Sequence, residues 1–435
     1  MHDVGVLTGW AFWIITLIKI LLVFTTVMIT VALLTLAERR VSAWIQDRLG
    51  PNRVGPQGLL QPIADGLKNF MKEETYPAQA SRVYFLLAPA LAVVPALMTL
   101  AVVPIAAPLP TPWGLVEMIL ADVPIGILYI LALTGLGVYG IVMAGWSSNN
   151  KYSFLGGLRA SAQMVSYEVA MGLSLIPVFM LAGNVTLTQI VATQQGGVDG
   201  LGVWFAFPLG LAFLIFVAAA FAETNRLPFD MAEAESELVA GFHSEYSSMK
   251  FSLFPIAEYA GMVTASALMA TLFFGGWDLP GSWDNMRVVA PGVVQGAAPA
   301  WWKTLLTLGS FAIKTLFFCF VYIWVRWTVP RFRYDQIMDL GWKVLLPTSL
   351  AFITLMGTAI LILDALGIRY GLLYGLILTA VNIVAMAIFL FVVDRGRVIK
   401  GSYGSRHMLE VRERIESGQA AEPRARRKIP TGAGV

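Results

Sequence analysis

Long apolar runs separated by short polar connections dominate this chain of 435 residues. Nine of these runs are long enough to cross the roughly 30 Å hydrocarbon core of a bilayer as helices. They are predicted over residues 11–37, 84–106, 118–145, 161–182, 203–222, 251–275, 303–326, 344–366 and 371–393. The pattern predicts an all-α polytopic membrane protein with eight transmembrane helices within residues 1–366 and a ninth within residues 367–394.

The connection 38–83, which follows the first run, has the period of an amphipathic helix. Its apolar residues fall on one arc of a helix, and its polar residues lie opposite. The apolar set is Leu59, Leu60, Ile63, Leu67, Phe70 and Met71, and the polar set is Asp65, Lys68, Asn69 and Lys72. This pattern predicts an amphipathic helix that lies along the membrane interface. This connection could form the floor and gate of a site for an amphiphile that enters from the bilayer. The alternative is an ordinary basic loop that faces lipid.

Composition supports the membrane assignment and restricts the chemistry. Hydrophobic residues make up 57% and charged residues 13% of the chain, too little charge for the surface of a soluble protein. One cysteine, Cys319, excludes an iron–sulfur cluster with four thiolates from this chain alone. The three histidines lie outside the apolar runs, which excludes a haem held between two membrane histidines. The chain is therefore expected to carry no redox centre.

Lysine and arginine residues indicate the orientation of the chain. With the N-terminus outside, most of them fall in inner connections, and the outer connections hold Arg287, Lys303 and Arg369. This asymmetry requires the ninth span. It predicts a bacterial cytoplasmic (inner) membrane protein with a periplasmic N-terminus. The segment 395–435 mixes charge with proline and glycine, which predicts a basic, partly disordered cytoplasmic tail.

Acidic residues are concentrated in the connection 223–250. On a helix predicted to begin near Phe229, three acids share one face and a fourth points elsewhere. The three are Asp230, Glu233 and Glu237, and the fourth is Glu235. Neighbouring carboxylates with few basic partners repel, so that some hold protons near neutral pH. The cluster could therefore take up and release protons, although a solvated acidic loop is the alternative.

Ionisable residues also occur inside the predicted spans. Glu168 and Glu258 lie within apolar runs, and Asp122 lies near the start of another, where it could instead face the outer headgroups. Charges at such depth are costly and usually mark an ion path. Lys19 and Lys314 are also within spans, where snorkelling or an acidic partner is expected.

Two of these segments resemble a known family. ERRVSAWIQDRLGPNRVGPQGLLQPIADGLK and AETNRLPFDMAEAESELVAGFHSEYSSMKF are similar to the signature regions of one membrane subunit of the proton-pumping NADH:quinone oxidoreductase, respiratory complex I. That subunit is designated H, or subunit 1 in the mitochondrial form. WVRWTVPRFRYDQIMDLGWK resembles the link between the last two core helices of that family. The resemblance covers about residues 10–366; the ninth span and the tail lie beyond it.

The resemblance implies a tunnel that admits quinone from the bilayer toward the terminal iron–sulfur cluster of a partner subunit. The partners it implies are peripheral-arm subunits that carry NADH, FMN and iron–sulfur chemistry, small membrane subunits and antiporter-like subunits, with no nucleic acid and no metal on this chain. The quinone-binding positions it implies, to which we add Phe229, are Arg39, Trp44, Arg48, Arg53, Asp65, Lys68, Arg226, Arg326 and Arg331.

The resemblance also implies an acidic path from the quinone cavity toward the antiporter-like subunits. Its members are Glu168, Glu223, Asp230, Glu233, Glu235, Glu237 and Glu258, to which the depth of Asp122 adds a further candidate. Quinone reduction would change the local charge and so shift the protonation of coupled carboxylates. Three alternatives remain: the homologous membrane subunit of a membrane-bound hydrogenase or formate hydrogenlyase, a free-standing cation transporter, and a passive anchor for a peripheral arm.

Overall fold

A computed structural model describes residues 2–3, 9–195, 201–230, 239–279, 286–290, 293–296 and 298–394. The chain divides into two units, Met1–Phe389 and Leu390–Val435. The predicted tail 395–435 lies outside the described residues, as do Glu233, Glu235 and Glu237. The first unit contains all the sites discussed below.

Helices account for nearly all the secondary structure, which confirms the predicted fold class. Among the described residues, eight helical segments are long and apolar enough to cross a membrane. These are α1 (Trp10–Ile45), α3 (Arg82–Met98, continued by a 3-10 turn to Val102), α4 (Gly126–Ser147), α5 (Lys151–Ala182), α8 (Ser248–Phe273), α9 (Trp301–Thr328), α10 and α11 (Tyr334–Asp339 and Leu346–Ala365, joined by a π-helical stretch), and α12 (Leu372–Asp394).

Shorter elements complete the fold. The helices are α2 (Gln61–Met71), α6 (Leu187–Gln194) and α7 (Gly210–Glu223). The strands are β1 (His2–Asp3), β2 (Leu109–Thr111), β3 (Gly114–Val116), β4 (Met286–Ala290) and β5 (Val293–Gly296). Strands β2 and β3 form an antiparallel hairpin, and the other three pair in the order β1-β5-β4.

Two spans begin at residues that differ from the prediction. The run 118–145 becomes helical only at Gly126, because Pro124 interrupts the chain and the preceding residues form turns after the β2–β3 hairpin. Helix α5 begins at Lys151, ten residues before the predicted start at 161. Its first turns carry Lys151 and Arg159, which hide the helical period from a hydropathy criterion, and Asn150 caps it by accepting from the Tyr152 N–H at 3.0 Å.

The fifth predicted span forms a helix over only part of its length. Helix α7 has 14 residues, about 21 Å at 1.5 Å per residue, which is too short to cross the hydrocarbon core. Pro208 precedes it and cannot donate to a preceding turn. The additional helix α12 satisfies the exposed backbone groups, since the Asn382 side chain accepts from the Leu211 N–H at 3.0 Å and donates to the Phe207 carbonyl at 2.9 Å.

Replacing Asn382 by leucine is expected to destabilise the protein by about 1–3 kcal/mol, because two main-chain groups buried in the bundle would lose their partners. A lower thermal midpoint of the detergent-solubilised protein would measure the loss. Ile383→Leu is the matched control, since Ile383 is 62% exposed on the same helix. Equal midpoints for the two variants would contradict the assigned role of Asn382.

The connection between α1 and α2 is closely packed. Gly55 and Gly58 have φ angles of 71° and 77°, which favour glycine. A Cβ atom at Gly58 would lie 2.2 Å from the Pro51 carbonyl oxygen. The Arg40 guanidinium also binds the Gln57 carbonyl. These contacts place α2 beside α1.

Helix α2 is the predicted amphipathic helix. Ile63, Leu67 and Phe70 on its apolar face are 61%, 60% and 75% exposed within the chain. Such a face without a protein partner in this chain suits the interface of a membrane. The opposite face, which includes Asp65 and Asn69, lines a cavity described below.

The two lysines within the spans bind backbone carbonyl groups. The Lys314 ammonium lies 2.8 Å from the Phe274 carbonyl, 3.0 Å from that of Gly276 and 2.6 Å from that of Asp278. It thereby neutralises the C-terminal end of α8, where helix carbonyls lack partners of their own. Lys19 donates to the Glu117 and Ile119 carbonyls at 3.1 and 2.8 Å.

Phe229 and Asp230 are not helical, and the rest of the helix expected to begin near Phe229 lies outside the described residues. Residues 224–230 form turns and irregular structure. The carbonyls of this segment bind other elements: Pro228 accepts from the Phe332 N–H at 3.1 Å, and Phe229 accepts from the Gln163 side chain at 2.7 Å. Pairing across the bundle replaces helical hydrogen bonding in this stretch.

Candidate functional site

A cavity of about 480 Å³ lies between α1, α2, α8 and α9. We call it the charged cavity. Its polar lining includes Glu38, Arg39, Asp65, Tyr259 and Arg326. Apolar side chains of α1 and α8, such as Val31 and Ile256, form much of the remaining wall. The lining suits an amphiphile with a polar head and an apolar body.

Glu38 organises the inner end of the charged cavity. The residue is only 7% exposed, and its carboxylate binds the guanidinium groups of both Arg226, at 3.4 Å, and Arg326. The Tyr259 hydroxyl donates to the same carboxylate at 2.6 Å, and the Arg226 guanidinium lies 4.1 Å from the centre of the Tyr259 ring. One carboxylate is therefore shared by two guanidinium groups in a largely buried site.

A second ion pair lies at the interfacial side of the same cavity. The Arg39 guanidinium binds the Asp65 carboxylate at 2.6 Å, and the two side chains are 50% and 27% exposed. Gln61 donates to the other oxygen of Asp65 at 3.1 Å. This pair connects the C-terminal end of α1 to the polar face of α2, so that the amphipathic helix forms one wall of the cavity.

A smaller cavity of about 100 Å³ lies deeper in the bundle. We call it the acidic cavity, because its lining includes Glu223 and Glu258 together with Thr134, Thr224 and Asn225. Glu223 lies against Thr134 and interacts electrostatically with Glu168. One carboxylate oxygen of Glu223 is buried without a hydrogen-bond partner. Glu168 packs against α4, where a Cβ atom on Gly135 would lie 3.0 Å from its carboxylate.

The two cavities share two short pieces of chain. On α8, Glu258 lines the acidic cavity, and the next residue, Tyr259, lines the charged cavity. After α7, Asn225 lines the acidic cavity, and the next residue, Arg226, binds Glu38. Movement of either segment would therefore act on both cavities.

Asp230, a predicted member of the acidic path, is in an ion pair. Its carboxylate, 4% exposed, binds the Arg331 guanidinium at 2.9 Å. The expectation that the acids lack basic partners is therefore wrong for Asp230, because the segment after α9 brings an arginine to it. Phe229 lies in the core between the rings of Tyr167 and Phe332, not in the charged cavity.

The other predicted residues lie farther from these cavities. The side chains of the predicted quinone-binding residues Trp44, Arg48, Arg53 and Lys68 are exposed around the inner end of α1 and on α2. Asp122 precedes α4 and accepts hydrogen bonds from Thr188 at 3.0 and 3.1 Å. The structure thus brings Arg39, Asp65 and Arg326 together around one cavity, with Arg226 bound to Glu38 in its wall. Glu223 and Glu258 line the other cavity, and Glu168 interacts with Glu223.

Two members of the charged cavity were not predicted as site residues. Glu38 precedes a pair of arginines at the inner end of the first span, and Tyr259 follows Glu258 in an apolar run. An acid at the end of a span resembles an ordinary interfacial residue. Only the approach of Arg226 and Arg326 from distant segments distinguishes Glu38.

The pKa of His243, in the connection before α8, is lowered to about 4 by burial, against the opposing effect of the Asp230 charge. An unfolded histidine has a pKa of about 6.5, so the unfolded chain binds more protons between these values. Stability is therefore expected to fall by about 3 kcal/mol as the pH drops from above 6.5 to about 4.

Thermal midpoints of the solubilised protein at pH 7.5 and 5.5 would measure the part of this loss that falls in that interval, about 1.3 kcal/mol. His243→Gln removes the titrating group and is expected to show the smaller drop. An equal drop in both proteins would contradict the effect attributed to His243.

Comparison with known proteins matches this chain, including the residues of both cavities, to one family. A family model described as NADH dehydrogenase matches residues 18–357. The chain is 47% identical over 351 residues to the NADH-quinone oxidoreductase subunit designated H of Leptospira biflexa, covering 78% of this chain and 93% of that protein. It is 48% identical over 339 residues to NADH-quinone oxidoreductase subunit 8 of Rhodothermus marinus, covering 78% and 95%.

A third relative is the subunit of the same designation, H, from the NADH-quinone oxidoreductase of Flavobacterium johnsoniae. It is 46% identical over 362 residues, covering 81% of this chain and 96% of its own length. Helix α12 lies beyond the matched family model, whereas the described residues of both cavities lie inside it. On these grounds the chain belongs to the NADH dehydrogenase family, as a membrane subunit of the NADH-quinone oxidoreductase enzyme complex.

Proposed function

We propose that the charged cavity admits the quinone that this enzyme complex reduces. The observation that carries the proposal is the Glu38 cluster, which holds two guanidinium groups and a tyrosine hydroxyl in a cavity that also has apolar walls on α1 and α8. Apolar walls suit an isoprenoid tail, and hydrogen-bond donors at the end suit carbonyl oxygens. The amphipathic helix α2 would form the floor along which the tail enters from the bilayer.

The two guanidinium groups of the Glu38 cluster have a chemical consequence. Reduction places negative charge on quinone oxygens before protons arrive. Fixed cations in a site that excludes bulk water stabilise such charge strongly. Electrons would come from NADH through flavin and iron–sulfur groups on partner subunits, since Cys319 cannot hold a cluster alone.

We further propose that the acidic cavity couples this reduction to proton movement. Glu258 lines the acidic cavity and its neighbour Tyr259 lines the charged cavity. Asn225 lines the acidic cavity, and its neighbour Arg226 binds Glu38. A charge change at the Glu38 cluster would therefore be felt by Glu258 and Glu223, and through Glu223 by Glu168. Glu233, Glu235 and Glu237 would continue this path, and Asp230, held by Arg331, would fix its geometry.

The proposed setting is a bacterial inner membrane with α2 on the cytoplasmic side, where peripheral-arm subunits would close the charged cavity. Small membrane subunits and antiporter-like subunits would receive the coupling signal. Four side chains that would face the peripheral arm are exposed in the isolated chain: Trp44, Arg48, Arg53 and Lys68.

Gly66→Phe tests the quinone part of this proposal. Gly66 lines the charged cavity, and a Cβ atom there meets no atom within 4 Å, so that the new ring would occupy the cavity without displacing protein. NADH oxidation by a long-tailed quinone is expected to fall about tenfold. Oxidation by a hydrophilic acceptor that takes electrons upstream is expected to remain unchanged.

Gly309→Phe is the matched control, because Gly309 also has open space around its Cβ position but lies on α9 outside the charged cavity. It should preserve both activities. Unchanged quinone reduction in Gly66→Phe would contradict the proposal.

Glu223→Gln tests the coupling part. In reconstituted vesicles, the variant is expected to pump fewer protons per electron than the wild type, since one carboxylate of the acidic cavity can no longer ionise. Asp335→Asn, an exposed acid in α10, is the control. An unchanged ratio of protons to electrons and an unchanged turnover in Glu223→Gln would contradict the role of the acidic cavity.

A further inference from the structure

A third cavity lies outside both sites, near the N-terminal end of α1. It measures about 280 Å³ and is formed by one face of α1, including Ile15, Lys19 and Leu22, and by the segment 100–120, including Leu100 and Trp113. All of its lining residues are apolar except Lys19 and Thr111. Ile18 and Leu22 in its wall are 54% and 57% exposed, so the cavity opens on a surface of α1 that can face lipid.

The polar groups of this cavity are nearly all engaged. The Thr111 hydroxyl donates to the Gly114 carbonyl at 2.6 Å. Lys19 uses two of its N–H groups on the Glu117 and Ile119 carbonyls, and an ammonium has three donors. A buried water needs two to four polar partners, and apolar cavities above roughly 150 Å³ instead accept apolar ligands. The lining therefore suits an apolar molecule that offers one hydrogen-bond acceptor.

The depth of Lys19 matches that of the glycerol esters of a membrane lipid. Trp10 and Trp13 are 84% and 67% exposed, and exposed tryptophans typically mark the headgroup level. Lys19 follows Trp13 by six residues, about 9 Å along the helix axis. A helical side chain leans toward the N-terminus, which brings the ammonium back toward the level of the glycerol esters.

We propose that this cavity binds one acyl chain of a phospholipid from the leaflet on the N-terminal side of α1. An ester or phosphate oxygen of the lipid accepts the third N–H of Lys19, and the chain packs against Leu22 and Leu100. The acyl chain would fill the space between the segment 100–120 and α1. This site is separate from the charged cavity and does not depend on the proposed function.

Leu22→Trp in the assembled complex tests the proposal. The indole would occupy the cavity, and Leu21→Trp is the matched control, because Leu21 and Leu22 are both 57% exposed and only Leu22 lines the cavity. Phospholipid retained per complex after exhaustive detergent washing would be identified and counted by mass spectrometry. Wild type and Leu21→Trp are expected to retain a phospholipid that Leu22→Trp loses.

Lys19→Met provides a second variant, which leaves the apolar walls and removes the donor. It is expected to lose the same lipid at milder washing than the wild type. Equal retention in wild type, Leu21→Trp and Leu22→Trp would overturn the proposal. So would the loss of a quinone, instead of a phospholipid, from Leu22→Trp.

Discussion

Replacing Glu38 by glutamine is expected to lower the stability of the protein by about 3–5 kcal/mol, the usual cost when one member of a buried ion pair is removed. Glutamine has nearly the same shape and can still accept from Tyr259. It cannot neutralise Arg226 and Arg326, which are 8% and 24% exposed and would remain close together without the carboxylate they share. Quinone reduction should fall at least about tenfold, since about 1.4 kcal/mol in the barrier suffices for that factor.

The thermal midpoint of the purified complex and the rate of NADH–quinone turnover would measure both effects. Asp339→Asn is the control, because it removes a carboxylate from the exposed Asp339–Lys343 pair, for which a change of at most about 0.5 kcal/mol is expected. If Glu38→Gln behaved like this control, the Glu38 cluster could not be the organising feature of the charged cavity.

Replacing Lys314 by methionine is expected to cost about 3 kcal/mol or more. Three main-chain carbonyls after α8 would lose a charged donor, and each buried acceptor without a partner costs about 1–3 kcal/mol. The loss should appear as a lower thermal midpoint and as less assembled complex on native gels. Lys314→Arg retains donors and is expected to recover part of the stability.

Lys303→Met is the matched control on the same helix. Its ammonium reaches a single carbonyl, that of Ala298 at 3.1 Å, in an exposed position, so the change should stay within about 0.5 kcal/mol. A midpoint for Lys314→Met equal to that of Lys303→Met would contradict the assigned role of Lys314.

The sequence predicts the helices best where one local property decides them. Long apolar runs must become helices in a bilayer because backbone groups need internal partners, and the predicted spans 251–275 and 303–326 agree closely with α8 and α9. The amphipathic period identifies α2 for a similar reason. Prediction is less accurate where tertiary contacts replace helical hydrogen bonds, as in the segments around Pro208 and Pro228.

The sequence predicts which types of residue form the site better than it predicts how they are arranged. Arg39 and Asp65 lie in a single signature segment, so their association could be anticipated from the resemblance. The joining of Glu38, Arg226 and Arg326 depends on three segments separated by up to 288 residues, which no local pattern reveals. The pairing of Asp230 with Arg331 was missed for the same reason, and it reduces the set of acids without an evident cation.

Photoaffinity labelling tests the central claim most directly. A quinone that carries a photoreactive group on its ring would be irradiated in the assembled complex, and the labelled peptides mapped by mass spectrometry. We expect labels on the inner end of α1, on α2 and on the first turns of α8, removed by excess unlabelled quinone. Labels confined to other segments, or labels in these segments that excess quinone does not remove, would contradict the account.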